Sequence, residues 1–251
     1  MIVDYLRPKN IPETLKLLEN QDLNPVLMGG GTGIDRFTLE PVTIIDLQEL
    51  DLGGMRVKGN SLEIGATTTL QALYEASQIS EELKNLIQLE ATSNLRQIAT
   101  VAGTMVASTG RSAFTAALMA LDAVVTLLPG DEIVNIGNLL LMRDSQISSK
   151  LITKITIPLN VKLAYQSVSR TPRDLPILNV TMAVWPSRRT RVILGGFGAS
   201  PLLASDGPEP GGEESAVKDA AMLASDEWAS SDYRMEVAPI LVKRCFTQIA
   251  S

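Results

Sequence analysis

The stretch Met28–Asp35, MGGGTGID, sets four glycines in five positions behind a short apolar run, Pro25–Met28. A backbone this bare has two uses. Glycine reaches positive φ without a Cβ penalty, so the run suits a tight turn. A chain without side chains also lets its amides approach and line an anion. Both readings stand on these residues. A P-loop is excluded, because no lysine follows the glycines. G-x-G-x-x-G fails too: counted from Gly29 its last position is Ile34, and from Gly31 it is Arg36. An anion here would meet bare amides and the Thr32 hydroxyl.

Around this loop the pattern reads strand, helix, strand. Ile2–Pro8 is extended, and Asn10 caps a helix with Glu13 at capping-box spacing. Pro25–Met28 and Val42–Leu47 are short strands, so residues 1–50 form a small α/β lobe. Residues 51–160 read as α+β. A hairpin turns at Gly59-Asn60, two helices follow with Ser80 capping the second, and an apolar helix starts near Ser112. Strands VVTLL, EIVNI and LITKITIP complete that lobe. Beyond a boundary placed near residue 160, three β-rich segments predict an antiparallel meander. A polar Pro/Gly-rich connection, Leu202–Ala216, is expected to be mobile. Two helices end the chain, and Pro239 predicts a kink or break in the last one.

Composition narrows the chemistry. The chain has 251 residues, 45% of them hydrophobic and 20% charged, with a formal charge of −6. That describes a globular protein without a basic surface for nucleic acid. No apolar run matches a membrane span and no signal-peptide core opens the chain, so a cytoplasmic location is expected. There is no histidine and one cysteine, Cys245, set among apolar residues. Ordinary zinc sites, Ser-His-Asp triads and self-held iron–sulfur clusters are therefore excluded. Redox or acid–base chemistry must come from a bound cofactor or from partner chains.

A second stretch of small residues, Leu95–Thr109, reads as a loop between two helices, with Thr100, Ala102, Gly103 and Thr104 at its centre. The two loops either face each other across one pyrophosphate or are unrelated turns.

Taken in order, these stretches resemble the flavoprotein (medium) subunit of the molybdenum hydroxylases, the family of carbon monoxide dehydrogenase and xanthine dehydrogenase. The resemblance is carried by Gly29–Ile34, Ile44–Leu47, Leu62–Leu73, Leu95–Thr104 and Leu151–Pro158. It continues through Tyr165–Val184 and Ser230–Arg244, covering nearly the whole chain. It implies an α+β fold: a two-lobed FAD-binding domain over residues 1–160, then a small domain of antiparallel sheet plus helices over 161–251. It also implies FAD held by Gly29, Gly30, Gly31, Thr32, Gly33 and Ile34 together with Thr100, Ala102, Gly103 and Thr104. Ile152 is expected near the flavin ring.

The implied role is electron transfer within an oxidoreductase. Electrons from a molybdenum cofactor subunit and an iron–sulfur subunit would pass through FAD to an acceptor such as NAD or a quinone. The chain would act in a hetero-oligomer, with no catalytic side chain, no metal of its own and no activity on an organic substrate alone. This sequence departs from the family pattern at Ala102, Thr104, Ala113, Lys150 and the Gln166-Ser167 pair. Ala102, Thr104 and Ala113 among them motivate an alternative, a flavin-free structural or assembly subunit of the same fold.

Overall fold

The computed structural model describes residues 1–34, 40–143, 147, 149–171 and 174–250. Asp35 of the glycine stretch and Pro172 and Arg173 of the meander lie outside these residues. The chain opens with β1 (Ile2–Leu6), α1 (Ile11–Glu19), β2 (Pro25–Met28) and β3 (Val42–Asp46). Next come β4 (Met55–Lys58), β5 (Ser61–Gly65), α2 (Leu70–Glu75) and α3 (Glu81–Glu90). The helices α4 (Ser93–Arg96), α5 (Val101–Ala107) and α6 (Ala113–Ala120) precede β6 (Val124–Leu128) and β7 (Glu132–Asn135). After α7 (Ile136–Leu141) and β8 (Leu151–Pro158), the strands β9 (Lys162–Val168), β10 (Leu178–Val184), β11 (Thr190–Gly195) and β12 (Leu202–Gly207) run in succession. The last helices are α8 (Glu213–Ala220) and α9 (Ser231–Ala250).

By compactness the chain forms two units. Unit 1 comprises residues 1–77, 91–107 and 124–157. It holds a parallel three-stranded sheet in the order β1-β3-β2 and a five-stranded sheet in the order β4-β5-β8-β6-β7. Every residue of β3 is buried, as a central parallel strand requires. Leu18 of α1 packs there with Ile45, Leu47 and Leu151. The Asn10 cap forms, with Glu13 N donating to Asn10 Oδ1 at 3.0 Å. The Glu13 carboxylate in turn accepts from Lys9 N at 3.0 Å.

Unit 2 comprises residues 78–90, 108–123 and 158–251, so α3 and α6 group with the C-terminal sheet. That sheet is antiparallel in the order β12-β11-β10-β9. Alternate residues of β10 face opposite sides. Leu178, Val180 and Met182 pack with Ala238, Leu241, Val242 and Cys245 of α9, while α6 lies against β10 and β11. The Cys245 thiol donates to Val180 O at 3.6 Å, and burial pushes its pKa up to about 12. It is an inert core thiol.

Three sequence readings need correction. Leu95–Thr109 is largely helix, not loop, since α4 and α5 fill it. Within the polar connection, Leu202–Gly207 is an edge strand paired with β11, because ladder bonds to β11 outweigh its turn-rich composition. Of the kink or break expected at Pro239, the break does not occur, since α9 runs through it over 20 residues. Ala238, Leu241 and Val242 on either side of it are wholly buried, and that burial outweighs one missing backbone bond.

Candidate functional site

The glycine loop leaves β2 at the carboxyl end of the parallel sheet. There Met28 is in register with Asp46, and Leu47 N donates to Met28 O at 3.0 Å. Asp46 is completely buried. Its carboxylate accepts from the Tyr5 hydroxyl, from Gln48 N at 2.9 Å and from Arg7 Nε at 2.9 Å. Burial alone would raise the Asp46 pKa, but these bonds and the Arg7 charge together hold it below the usual carboxylate range. Asp46 lies in the Ile44–Leu47 stretch that carried the resemblance, but it was assigned no role, and Tyr5 and Arg7 were not singled out. The signal was a carboxylate closing a mostly apolar strand.

From β2 the loop crosses directly over residues 98–107. A Cβ on Gly30 would lie 1.7 Å from Ile98 O, and one on Gly29 would lie 2.7 Å from Thr100 Oγ1. A Cβ on Gly33 would come within 3.1 Å of the Ala107 methyl. Gly31 is different: its φ is +74° and its nearest neighbour is the Met28 sulfur at 3.4 Å. Gly30 is thus a glycine for backbone packing, and Gly31 is a glycine for conformation. Both Gly31 and Thr32 are exposed, while Gly30, Gly33 and Ile34 are half-buried.

The second stretch is anchored from every side. Thr100 bridges to Thr69, Leu70 N donates to Ala99 O at 2.8 Å, and Val101 N donates to Thr68 O at 2.8 Å. Ala102 N reaches Ala66 O at 3.3 Å and Thr104 N reaches Thr100 O at 2.8 Å. Gly103 N donates to Thr100 Oγ1 at 3.2 Å, so Thr100 caps α5. All four opening amides of this helix are therefore engaged within the protein. Ala102, Gly103 and Thr104 lie in its first turn, with Ala102 buried, Gly103 exposed and Thr104 half-buried. The methyl of Ala102 sits on helical backbone, where it carries no left-handed strain.

The first loop has the opposite character. Among the described residues, nothing accepts from the amides of Gly30, Gly31, Thr32 or Gly33, while Ile34 N closes a turn onto Gly31 O at 3.3 Å. Such a run of unengaged amides, with a hydroxyl at Thr32, suits an anion such as a pyrophosphate. Ile152 is buried on β8, paired with Leu127. Its neighbour Thr153 accepts from Ala66 N at 3.0 Å, which ties that strand to the residue that also receives Ala102 N.

Ala113 belongs to unit 2, as the first residue of α6. That helix start is closed by protein groups. Ser112 Oγ accepts from Thr115 N at 3.0 Å, and the Glu90 carboxylate accepts from Ser112 Oγ at 2.8 Å and from Phe114 N at 3.0 Å. Glu90 escaped sequence reasoning because its partners lie more than 20 residues away. Lys150 pairs with Glu132 at 2.7 Å, and Ser167 stands opposite Asn179 in the sheet.

Residues 1–160 match the family described as the FAD binding domain in molybdopterin dehydrogenase. The chain belongs to that family. It is a flavoprotein component of an oxidoreductase, and FAD is its cofactor. Over 248 residues it is 25% identical to YgfM of Escherichia coli K12, covering 96% of this chain and 94% of that one. It is 24% identical to the glyceraldehyde dehydrogenase medium chain of Sulfolobus acidocaldarius, covering 98% of each. The molybdopterin dehydrogenase flavoprotein fold is seen in the carbon monoxide dehydrogenase of Oligotropha carboxidovorans, at a TM-score of 0.79 and 22% identity, covering 97% of this chain and 96% of that one. Quinoline 2-oxidoreductase of Pseudomonas putida 86 shares it at a TM-score of 0.77 and 17% identity, covering 98% and 96%. Among the described residues no helix is long and apolar enough to cross a membrane.

Proposed function

We propose that this chain carries FAD as an electron-transfer subunit of a molybdenum hydroxylase. It receives electrons from iron–sulfur clusters on a partner chain and delivers them to an acceptor such as NAD or a quinone. One observation carries the reading: four successive amides, Gly30 to Gly33, find no acceptor among the described residues, on a loop whose backbone is seated on Ile98 and Thr100. In this reading those amides and the Thr32 hydroxyl hold the pyrophosphate. The Thr100–Thr104 segment borders the site through exposed Gly103 and half-buried Thr104, and Ile152 packs toward the flavin ring. Bound flavin supplies the redox chemistry, and the protein supplies position and electrostatics. With no histidine in the chain and its one thiol buried, no side chain here is assigned a proton-transfer role.

Titration of the flavin-free protein with FAD and with FMN tests the loop assignment, because FMN lacks the pyrophosphate. FAD is expected to bind at least about tenfold tighter, the equivalent of one charge-assisted hydrogen bond or more. Equal affinities would remove the pyrophosphate from the loop. The alternative, a flavin-free assembly subunit, draws its support from the start of α6, where Glu90 and Ser112 already satisfy the amides around Ala113. A native complex lacking a flavin visible spectrum would decide for it.

A further inference from the structure

Unit 2 carries a surface that its own core does not explain. Arg234, fully buried, ties three segments together: its guanidinium donates to Ile177 O at 2.9 Å, to Ala229 O at 3.1 Å and to Ala224 O. It also holds Asp226 through both carboxylate oxygens at 2.9 Å. Asp226 in turn accepts from Trp228 N at 2.9 Å and Ala229 N at 3.1 Å. The 224–229 turn is thus preorganised, and it presents Trp228 at 39% exposure.

Two guanidinium groups lie over that indole, Arg111 at 4.5 Å and Arg170 at 4.3 Å from the ring centre. Arg111 is largely buried, 14% exposed, and reaches Asp226 at 3.5 Å. Arg170 is the open one, 64% exposed, reaching Asp174 only at 3.8 Å with no hydrogen bond to a described residue. On the same segments Leu223 is 96% exposed, Met222 60% and Leu175 58%. Exposed large apolar residues on the chain segments that also carry a Trp and two Arg have the composition of an interface hot spot. A small-molecule site would be concave and would cover its apolar lining. This surface instead projects Leu223 almost wholly into solvent.

We propose that Trp228 and Arg170, with Leu175, Met222 and Leu223, form the docking surface for a partner protein that sets a carboxylate against the exposed Arg170 guanidinium, Arg111 backing the indole from within. Glu227 adds an exposed carboxylate alongside, so the match is local, acid over arginine, and not one of net charge. Preorganisation by Arg234 lowers the cost of ordering this surface on contact. The docking surface rests on the hetero-oligomeric reading above.

The complex would be purified from its native source through a tag on this chain, with a photo-crosslinking residue in place of Leu223. The expected product joins position 223 to an Asp- or Glu-bearing segment of a stoichiometric partner. Trp228→Ala and Leu223→Glu should each lower partner retention by about tenfold or more, with flavin content and melting temperature unchanged. Wild-type retention in both variants, or crosslinks only to a second copy of this chain, would overturn the proposal. So would unchanged retention with a raised KM for the acceptor in Trp228→Ala, which would make the arginines a small-anion site. A flavin-free complex that still crosslinks as expected would sink the electron-transfer reading and leave the docking surface standing.

Discussion

Gly29–Ile34 and Thr100–Thr104 are both short, rich in small residues and in contact, yet their backbones are used in opposite ways. In the first, the amides of Gly30 to Gly33 find no acceptor among the described residues. In the second, every opening amide of α5 is held, two by Thr68 and Ala66 and two by Thr100 itself. The same bareness of side chain thus goes with open amides in one stretch, where ligand approach is the proposed use, and with close packing in the other. The lesson is that a glycine-rich segment is assigned by where its N–H groups go, not by how many glycines it has. Even within the first loop the roles divide, since Gly30 lies on Ile98 O and Gly31 turns the chain.

Substitutions sharpen or break this contrast. Gly30→Val has the largest expected effect, because its Cβ would overlap the Ile98 carbonyl oxygen. It should destabilise unit 1 by about 3 kcal/mol or more, at the upper end of overpacking costs, read as a fall in melting temperature of flavin-free protein. A stable Gly30→Val chain that has lost only FAD affinity would return Gly30 to the ligand side.

Asp46→Asn comes next, at about 2 kcal/mol for loss of hydrogen bonds to a buried charge. It tests whether the edge from which the loop departs is held by Asp46. The sign with pH follows from its lowered folded pKa. The stabilisation is present at neutral pH and disappears as pH falls below about 4 and through the folded value. The wild-type and Asp46→Asn melting curves should therefore converge in acid, and a constant gap down to low pH would contradict the assignment.

Gly31→Ala should cost about 1 kcal/mol for a side chain at left-handed backbone. It should also weaken FAD by about tenfold if one charge-assisted bond from the loop is misaligned. Fluorescence titration beside thermal melting separates the two effects. Thr100→Val is the mildest: loss of the α5 cap costs about 1 kcal/mol, with FAD affinity held within about twofold. If FAD affinity in Thr100→Val falls as far as in Gly31→Ala, the second segment is a ligand segment after all and the contrast collapses.

Much of this was legible in the amino-acid order because it is local. Asn10 and Ser80, read as caps, and Ser112, read as a helix start, each accept from the backbone N–H three residues on. The apolar run of Val42–Leu47, the alternation flanking Gly59-Asn60 and the β-rich C-terminal segments marked the sheets, and the ordered stretches pointed to the family. The errors fell where distant groups decide. Small residues between Leu95 and Thr109 read as a loop, yet residues 66–70 hold α5 in place. Leu202–Gly207 read as a linker, yet β11 offered it a ladder.

By itself, then, the sequence determined the helix starts, the strand alternation, the family and the absence of any histidine or spare thiol. Tertiary structure alone decided that Gly30 packs while Gly31 turns, that Ala102 is helical, and which stretch has its amides engaged by described residues. The reason is physical: a cap or an alternation is satisfied within a few residues, but a backbone amide is engaged or left open by acceptors some thirty residues away. Thr68 and Ala66, which hold the opening amides of α5, are such acceptors.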